Sequence, residues 1–543
     1  MYRKNEEIEL EITDLGAEGE GIGRTGAFLW FVRDALPGDW IRASVMKVKK
    51  NYGYARLQEV LSPGADRVAA PCPVARACGG CTLQALSYGA QLVFKEKKVR
   101  ENLRRIGGFS PELLDRVLRP VIGMEEPFRY RNKAQFPVGS GKDGKPVAGF
   151  YAGHTHSIIP CGDCLLGVAE NREILDTVLH WMEEARVAPY REEDGSGAVR
   201  HVLTRKGFSS GEIMVCLVTS GEKIRPAALE SLAQRLMALP GVVTVVQNLN
   251  PDRTNVILGR ETRILAGPGV ITDTIGGVSF EISAQSFYQV NPVQTEKLYG
   301  KALEYAGLTG SETVWDLYCG IGTISLFLAR GAKQVRGVEI VPQAIDDARR
   351  NAERNGIGNA EFFVGKAEEV LPEQYGKTGE AADVIVVDPP RKGCDSRCLE
   401  TMLAMAPERI VYVSCDSATL ARDLKILTGD GRYELKAAQP VDMFPMTAHV
   451  ETVCLLSQRK PDTTIEVDLD ISELEVSSAE TKATYEEIKS YVLKKFGLKV
   501  SNLYIAQVKR ECGIVERINY NLPKTEGNRV PQCPEDKRKG RHL

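Results

Sequence analysis

The sequence predicts an α/β protein in which a doubly wound sheet follows a small β-barrel and a cysteine-bearing α+β segment, with a small helical appendage at the end. Three observations predict it. From about Phe287 to residue 458, strand-like apolar runs alternate with helical segments, the mark of a mostly parallel sheet with helices on its faces. Residues 6–60 carry short strand-like runs separated by glycine-rich turns, as in a small barrel. Between these regions Cys72, Cys78 and Cys81 crowd together. A chain of 543 residues suggests three or four domains at about 150 residues each. The expected divisions are 1–65, 66–285, 286–460 and 461–543, with about 90–125 packing on the third.

Composition narrows the class. Hydrophobic residues make up 43% and charged residues 26%, which is ordinary for a globular chain and unlike collagen, low-complexity disorder or a coiled coil. No apolar run approaches the roughly 18 residues of a membrane helix. The start, Met1-Tyr2-Arg3-Lys4-Asn5-Glu6-Glu7, lacks the apolar core of a signal peptide. A cytoplasmic protein without membrane contact is expected. Seventy basic against 72 acidic side chains give a formal charge of −2, so whole-chain charge does not announce nucleic acid. The distribution is uneven. Gln91 to Lys145 holds 13 Lys/Arg against 7 Asp/Glu, and Pro461 to Tyr491 holds 2 against 9. The first suits phosphates, although a solvated helical face explains it equally well.

In chain order, Glu9–Ile12, Ala27–Val32 and Trp40–Val45 read as barrel strands, parted by turns such as Leu36-Pro37-Gly38-Asp39. A basic helix is expected from Tyr88 to about Arg105. The region 126–285 mixes strands (Ile213–Val218, Val242–Val246) with a helix from Pro226 to Leu239. There are no internal repeats. In the tail, Thr484 to Phe496 reads as an amphipathic helix closed by Gly497, and Ser501 can cap a second running to about Cys512. Two short helices around a glycine turn suggest a helix-turn-helix or a small packing domain.

The run Val314-Trp315-Asp316-Leu317-Tyr318-Cys319-Gly320-Ile321-Gly322 is an apolar strand entering a glycine loop, with a helix expected from Thr323 to Arg330. Such glycines let a ligand approach the backbone. The next strand, Val335 to Val338, ends in Glu339, 23 residues after Asp316. An acid there can accept hydrogen bonds from both ribose hydroxyls of an adenosine cofactor. NAD and S-adenosylmethionine fit comparably to this point. The third glycine of a dinucleotide fingerprint falls at Ser325, which favours S-adenosylmethionine. Val384–Val387 then leads into Asp388-Pro389-Pro390-Arg391, a rigid carboxylate-bearing corner at the sheet's carboxyl edge. Amino-group methyltransferases commonly place an aromatic residue after two such prolines. Arg391 stands there instead, which disfavours an exocyclic amine as the target.

Ile410–Val413 is another apolar strand, with Cys415 just past it. A cysteine is more often inert packing than a nucleophile. The segment Phe444-Pro445-Met446-Thr447-Ala448-His449-Val450-Glu451 adds a carboxylate able to reach the same edge.

Taken in order, Tyr130–Pro137, Phe287–Asn291, Asp316–Gly322, Asp388–Gly393, Val413–Cys415 and Phe444–Glu451 resemble the RNA uracil-C5 methyltransferases of the RumA/TrmA type. The resemblance covers roughly residues 6–458 and makes the opening barrel look like a TRAM domain, an RNA-binding module. It implies a Rossmann-like methyltransferase domain using S-adenosylmethionine. It assigns cofactor contacts to Gln289, Tyr318, Glu339 and Asp388, the nucleophile to Cys415 and the general base to Glu451. Addition of a thiolate to uracil C6 would turn C5 into a nucleophilic carbon, and a stacked base must be flipped out to admit it. The chain departs from the family in having Asp416-Ser417 where Asn-Pro usually follows the nucleophile, a change expected to alter hydrogen bonding to the uracil edge.

Thirteen cysteines in a reducing compartment point to metal or catalysis before disulfides. Cys72, Cys78 and Cys81, with Cys161 and Cys164 further on, can converge on one ion or cluster, and tetrahedral zinc fits the spacing too. The resemblance implies a 4Fe–4S cluster on Cys72, Cys78, Cys81 and Cys164, in a structural or RNA-positioning role. It also favours the branch acting on 23S ribosomal RNA over transfer RNA, in a monomeric enzyme. A non-catalytic RNA-binding assembly factor is the rival in class; the presence of both Cys415 and Glu451 argues against it. An iron–sulfur redox enzyme would need an electron-accepting cofactor site that the sequence does not offer.

Overall fold

The computed structural model describes residues 2–153, 155–379, 381–459 and 485–496. The chain divides into two compact units, Met1–Gln458 and Arg459–Leu543.

The first unit opens with five strands, Glu7–Leu15, Gly21–Thr25, Phe28–Arg33, Trp40–Val48 and Tyr52–Ser62, closed into a barrel. Alternation makes it: Ile8, Leu10 and Ile12 point inward while Glu7, Glu9 and Glu11 are exposed. Trp30 fills the centre with no exposed surface. Gly53 is required beside it, because a Cβ there would stand 2.3 Å from the indole ring.

A seven-stranded central sheet follows, in the order Glu261–Ala266, Val242–Leu249, Ile213–Thr219, Val199–Lys206, Lys133–Ser140, Pro146–Tyr151, Ile158–Pro160. Helices Asn171–Ala185 and Pro226–Met237 cover one face through Trp181, Val178, Leu232 and Leu236. On the other face Leu203, Met214 and Cys216 share a core with Tyr288, Leu298 and the hairpin Ile271–Ile275/Val278–Ile282.

The catalytic sheet also has seven strands, ordered Ala360–Val364, Gln334–Glu339, Thr313–Leu317, Val384–Val387, Arg409–Ser414, Glu451–Gln458, Tyr433–Val441. The first five are parallel; Glu451–Gln458 runs antiparallel to both its neighbours, so Tyr433–Val441 points the same way as the first five. Strand order reverses direction between Thr313–Leu317 and its neighbour Val384–Val387. Ligands of such sheets bind beyond the carboxyl ends of strands at this switch point. The central strands Thr313–Leu317, Val384–Val387 and Arg409–Ser414 are buried almost throughout without alternation, as burial on both faces demands.

The expected basic helix spans Tyr88–Arg105, capped by the Ser87 hydroxyl, which accepts from the Ala90 amide. Its Val99 and Leu103 enter the catalytic core. Lys95 is fully buried on the same helix, paired with buried Asp442. Asp442 also accepts from the Tyr88 hydroxyl at 2.9 Å.

In the second unit the helix Tyr485–Phe496 occupies the stretch that the sequence predicted, and Ile488 is buried. The second tail helix, Ser501 to Cys512, and the helix-turn-helix reading lie outside the described residues. Among the described residues no helix is long and apolar enough to cross a membrane.

Candidate active site

Loops from the carboxyl edge of the catalytic sheet enclose a cleft of about 810 Å³ lined by Gln289, Tyr318, Glu339, Asp388, Cys415 and Glu451. The sequence singled out these six positions across 163 residues, and the fold brings all six to one space.

All but Gln289, which lies in the loop before helix Pro292–Ala306, stand at a strand end. Tyr318 follows Thr313–Leu317 with a φ of 68°, a left-handed conformation that costs a tyrosine about 1–3 kcal/mol. A Cβ at Gly320 would meet nothing within 4 Å, so this stretch of backbone stands open to a ligand. Glu339 ends the neighbouring strand, and its two oxygens accept one amide each, from Gly320 at 3.3 Å and Val341 at 2.9 Å. A carboxylate has about four acceptor positions, so half remain for a ligand's hydroxyls. At Ser325, where a dinucleotide site would have glycine, the hydroxyl donates to buried Asp316 at 2.5 Å. It ties the helix Thr323–Ala329 to the end of the strand.

Gln289 is held from both sides. Asn132 donates its side-chain amide to the Gln289 carbonyl at 2.9 Å and its backbone amide to Val290 at 2.8 Å. Asn291, the cap of helix Pro292–Ala306, reaches the Met443 carbonyl at 3.0 Å. Sequence reasoning missed Tyr299, which is buried on that helix and backs the cleft close to Thr323, Gln289, Asp388 and Glu451. An aromatic residue at helical spacing gives no signal of such a role.

The electrostatics of the reactive groups follow from burial. Asp388 is pushed up to about 7 by desolvation. Glu451, the first residue of its strand and 4% exposed, is pushed up to about 8 by burial and by Asp388, with Arg391 pulling the other way. The half-buried Cys415 thiol is raised to about 11 by burial, then by Glu451 and Asp388, again opposed by Arg391. Arg391 is exposed at the cleft and forms no side-chain hydrogen bond or ion pair with the described residues. It is therefore available to the thiolate or to a substrate.

The loop before Glu451 is fastened to the rest of the unit. Lys95 donates to the Phe444 carbonyl at 3.1 Å, Tyr130 to Pro445 at 3.2 Å, and Met446 accepts from the Leu83 amide at 3.0 Å.

A family model described as tRNA (Uracil-5-)-methyltransferase matches residues 271–459, and a TRAM domain model matches residues 3–57. An uncharacterised RNA methyltransferase of Halalkalibacterium halodurans is 52% identical over 454 residues, covering 83% of this chain and 97% of that protein. One from Listeria innocua is 49% identical over 459 residues, covering 84% and 99%. The chain belongs to the RNA uracil-C5 methyltransferase family. The crystal structure of the Pyrococcus abyssi tRNA (uracil-54, C5)-methyltransferase in complex with S-adenosyl-L-homocysteine superposes with a TM-score of 0.66. It is 28% identical, and the match covers 83% of this chain and 100% of that one.

In this methyltransferase Asp416 caps the helix Ser417–Thr428, its carboxylate accepting from the amides of Ala418 and Thr419 at 2.9 Å each. The acid that departs from the family pattern is thus occupied by its own helix.

The cysteine expectation maps onto a separate small cavity lined by Cys72, Cys78, Cys81, Cys161 and Cys164. Burial raises Cys78, takes Cys81 to about 12 and takes Cys161 to about 11, with the neighbouring thiols adding to each rise. Gln84 also lines this cavity, with its side-chain amide nitrogen buried and unpartnered. Among the described residues, no three His, Cys, Asp or Glu side chains form a single-ion site. Neither zinc nor a cluster is shown at these thiols. In a cubane each of the four thiolates binds a different iron, so the sulfurs stand farther apart than around a single ion. Thiols around a common cavity, beside an orphaned N–H donor, suit that group.

Proposed function

We propose that this methyltransferase places a methyl group on C5 of a uridine in 23S ribosomal RNA, with Cys415 as nucleophile and Glu451 as general base. The observation that carries the reading is the meeting of Cys415, Glu451 and the four expected cofactor contacts in one cleft.

The cofactor fits the residues present. Glu339 would take the ribose hydroxyls, the open backbone at Gly320 would face the adenosine, and Gln289, Tyr318 and Asp388 would enclose the rest. S-adenosylmethionine, when bound, supplies the methyl group on an electrophilic sulfonium. The protein does the remainder. A flipped-out uridine enters beside Phe287, which is 69% exposed at the cleft and offers a face for stacking. Cys415 loses its proton to water in the open cleft, the thiolate being stabilised by the Arg391 charge, and its sulfur bonds to C6 while the C5–C6 π pair moves toward the O4 carbonyl. C5 would then bond to the methyl carbon as the methyl–sulfonium bond breaks, its electron pair staying on sulfur to leave S-adenosylhomocysteine. Glu451 as carboxylate takes the C5 proton, the C5–C6 double bond re-forms, and the C6–sulfur bond breaks to free Cys415.

Cys72, Cys78, Cys81 and Cys164 would hold a 4Fe–4S cluster, which supplies a covalent tie between two distant chain segments. No step of the reaction passes through it. The thiol cavity also supports the ribosomal branch over the transfer RNA branch. Likeness to the Pyrococcus abyssi enzyme favours the second reading, a transfer RNA uridine. Mapping 5-methyluridine in both RNA classes from cells with and without this protein separates them. Loss of a ribosomal site alone is expected; loss of a transfer RNA site alone overturns the ribosomal assignment.

A further inference from the structure

Three cations crowd together at the junction of the central sheet and the cleft without an ion-pair partner among the described residues. Lys133 and Arg205 are directly opposite each other on adjacent antiparallel strands, so their side chains leave the same face within reach of one another. Arg131, two residues before Lys133, lines the cleft. Neither Arg131 nor Lys133 makes a side-chain hydrogen bond or an ion pair with the described residues. Arg205 is 3% exposed; it donates to the carbonyls of Ala284 and Ser286, and its Nε is buried without a partner.

Nearby cations are treated differently. Lys206 pairs with Glu170 at 2.5 Å, Arg129 with Asp163 at 2.5 Å and Arg200 with Glu192 at 3.7 Å. The acid beside the unpaired group is the Cys216 thiol, raised by burial to about 12 and so neutral. Like charges directly opposite in a sheet destabilise it, and a desolvated cation without a counter-charge costs more. Burial, then Arg205 and Arg131, lower Lys133 to about 8. An oxyanion docked between these side chains would relieve both penalties.

We propose that Lys133 and Arg131, backed by buried Arg205, form a subsite for a backbone phosphate of the RNA strand next to the nucleotide that enters the cleft. The segment is built for it. Asn132, between the two cations, is hydrogen-bonded to Gln289 and Val290, so the phosphate position is fixed relative to the cofactor pocket. The inference rests on the reading of RNA as substrate, but not on the uracil chemistry. The same oxyanion chemistry could come from the carboxylate of S-adenosylmethionine, and the test separates the two.

The probe is a fluorescently labelled 12-nucleotide oligouridylate (about the span of one single-strand groove), titrated in the presence of S-adenosylhomocysteine across a range of KCl. Lys133→Gln should weaken binding about tenfold at low salt and reduce the slope of log affinity against log salt by about 0.7. Lys133→Arg should keep the wild-type slope. Against an oligouridylate with uncharged methylphosphonate linkages, wild type and Lys133→Gln should bind alike. Raising the pH from 6.5 to 9 should weaken phosphate-linked binding more in wild type than in Lys133→Arg, because Lys133 must carry its proton to bind. Charged and titratable neighbours of Lys133 are Arg131, Arg205 and Cys216. Glu451 and Asp388 titrate in the same range, and the comparison with Lys133→Arg subtracts them. Unchanged affinity and slope in Lys133→Gln overturn the subsite. Loss of S-adenosylhomocysteine binding with RNA binding intact overturns it in favour of the cofactor carboxylate. Both readouts are binding, so a failure of the proposed methylation would leave them standing.

Discussion

Half-buried Asp388 and buried Glu451 are two carboxyls in one cleft, and Asp388 adds to the rise that burial causes at Glu451. Asp388 lies near 7 and Glu451 near 8, against about 4 for either in an unfolded chain. Between those values the folded protein holds more protons than the unfolded one. Its stability therefore falls as the pH rises, in the window from about 4 to 8. Thermal midpoints of the cofactor-free protein should drop between pH 5.5 and 8.5, and the drop should be smaller in Glu451→Gln. An equal drop in both proteins would remove Glu451 from this account.

The positive sulfonium distinguishes S-adenosylmethionine from S-adenosylhomocysteine, and an ionised Asp388 would favour the former. The preference for S-adenosylmethionine, measured as a ratio of calorimetric affinities, should grow from pH 6 to pH 8.5. Asp388→Asn should flatten it. A wild-type ratio independent of pH would place the sulfonium away from Asp388.

The buried pair of Lys95 and Asp442 ties the helix Tyr88–Arg105 to the chain just before the loop that ends at Glu451. Removing one partner strands a buried charge, at about 3–5 kcal/mol. Lys95→Met should lower urea-unfolding stability by that order, and Lys95→Met with Asp442→Leu should recover part of it. A cost below about 1 kcal/mol for the single change would show that water reaches Asp442.

The catalytic half of the fold was legible because its signals are local. Each expected cofactor or catalytic residue stands at or just beyond the end of an apolar run, or in a short motif such as Phe287–Asn291, and parallel topology carries strand ends to one edge. Lys95 was not legible. Its helix is rich in charge, and its partner Asp442 lies 347 residues away, a distance across which composition says nothing. The barrel itself was expected, but the pairing that closes it, the parallel match of Phe28–Arg33 with Tyr52–Ser62, carries no local signal. Asp416 shows a different limit. Read as a change to the uracil edge, its carboxylate caps a helix, and a residue with two available roles cannot be assigned from its position alone.

The thiol cavity makes a compositional prediction. Anaerobically purified protein should be brown and contain iron, held by Cys72, Cys78, Cys81 and Cys164. Cys164→Ser should lose the iron. Cys161→Ser should keep most of it, although Cys161 lines the same cavity. Stoichiometric zinc without iron in the metal analysis would replace the cluster by a single-ion site.

Cys415 and Glu451 divide one reaction into an addition and an elimination, and the two variants should fail at different points. Without the thiol, C5 is never activated, so Cys415→Ala should form neither product nor covalent RNA complex. Glu451→Gln keeps the thiol and the cofactor contacts but has no base for the C5 proton. It should add to C6, accept the methyl group and stall, with turnover reduced about 10²–10⁴-fold. The stalled species is a methylated protein–RNA adduct that survives denaturing electrophoresis. Burial favours this assignment, because a carboxyl raised to about 8 is a stronger base when ionised than an exposed one. Each variant is incubated with RNA fragments and S-adenosylmethionine labelled in its methyl group, and protein-bound label is resolved on the gel. Label retained by Cys415→Ala would move the nucleophile to another cysteine, and full turnover by Glu451→Gln would hand the C5 proton to another base.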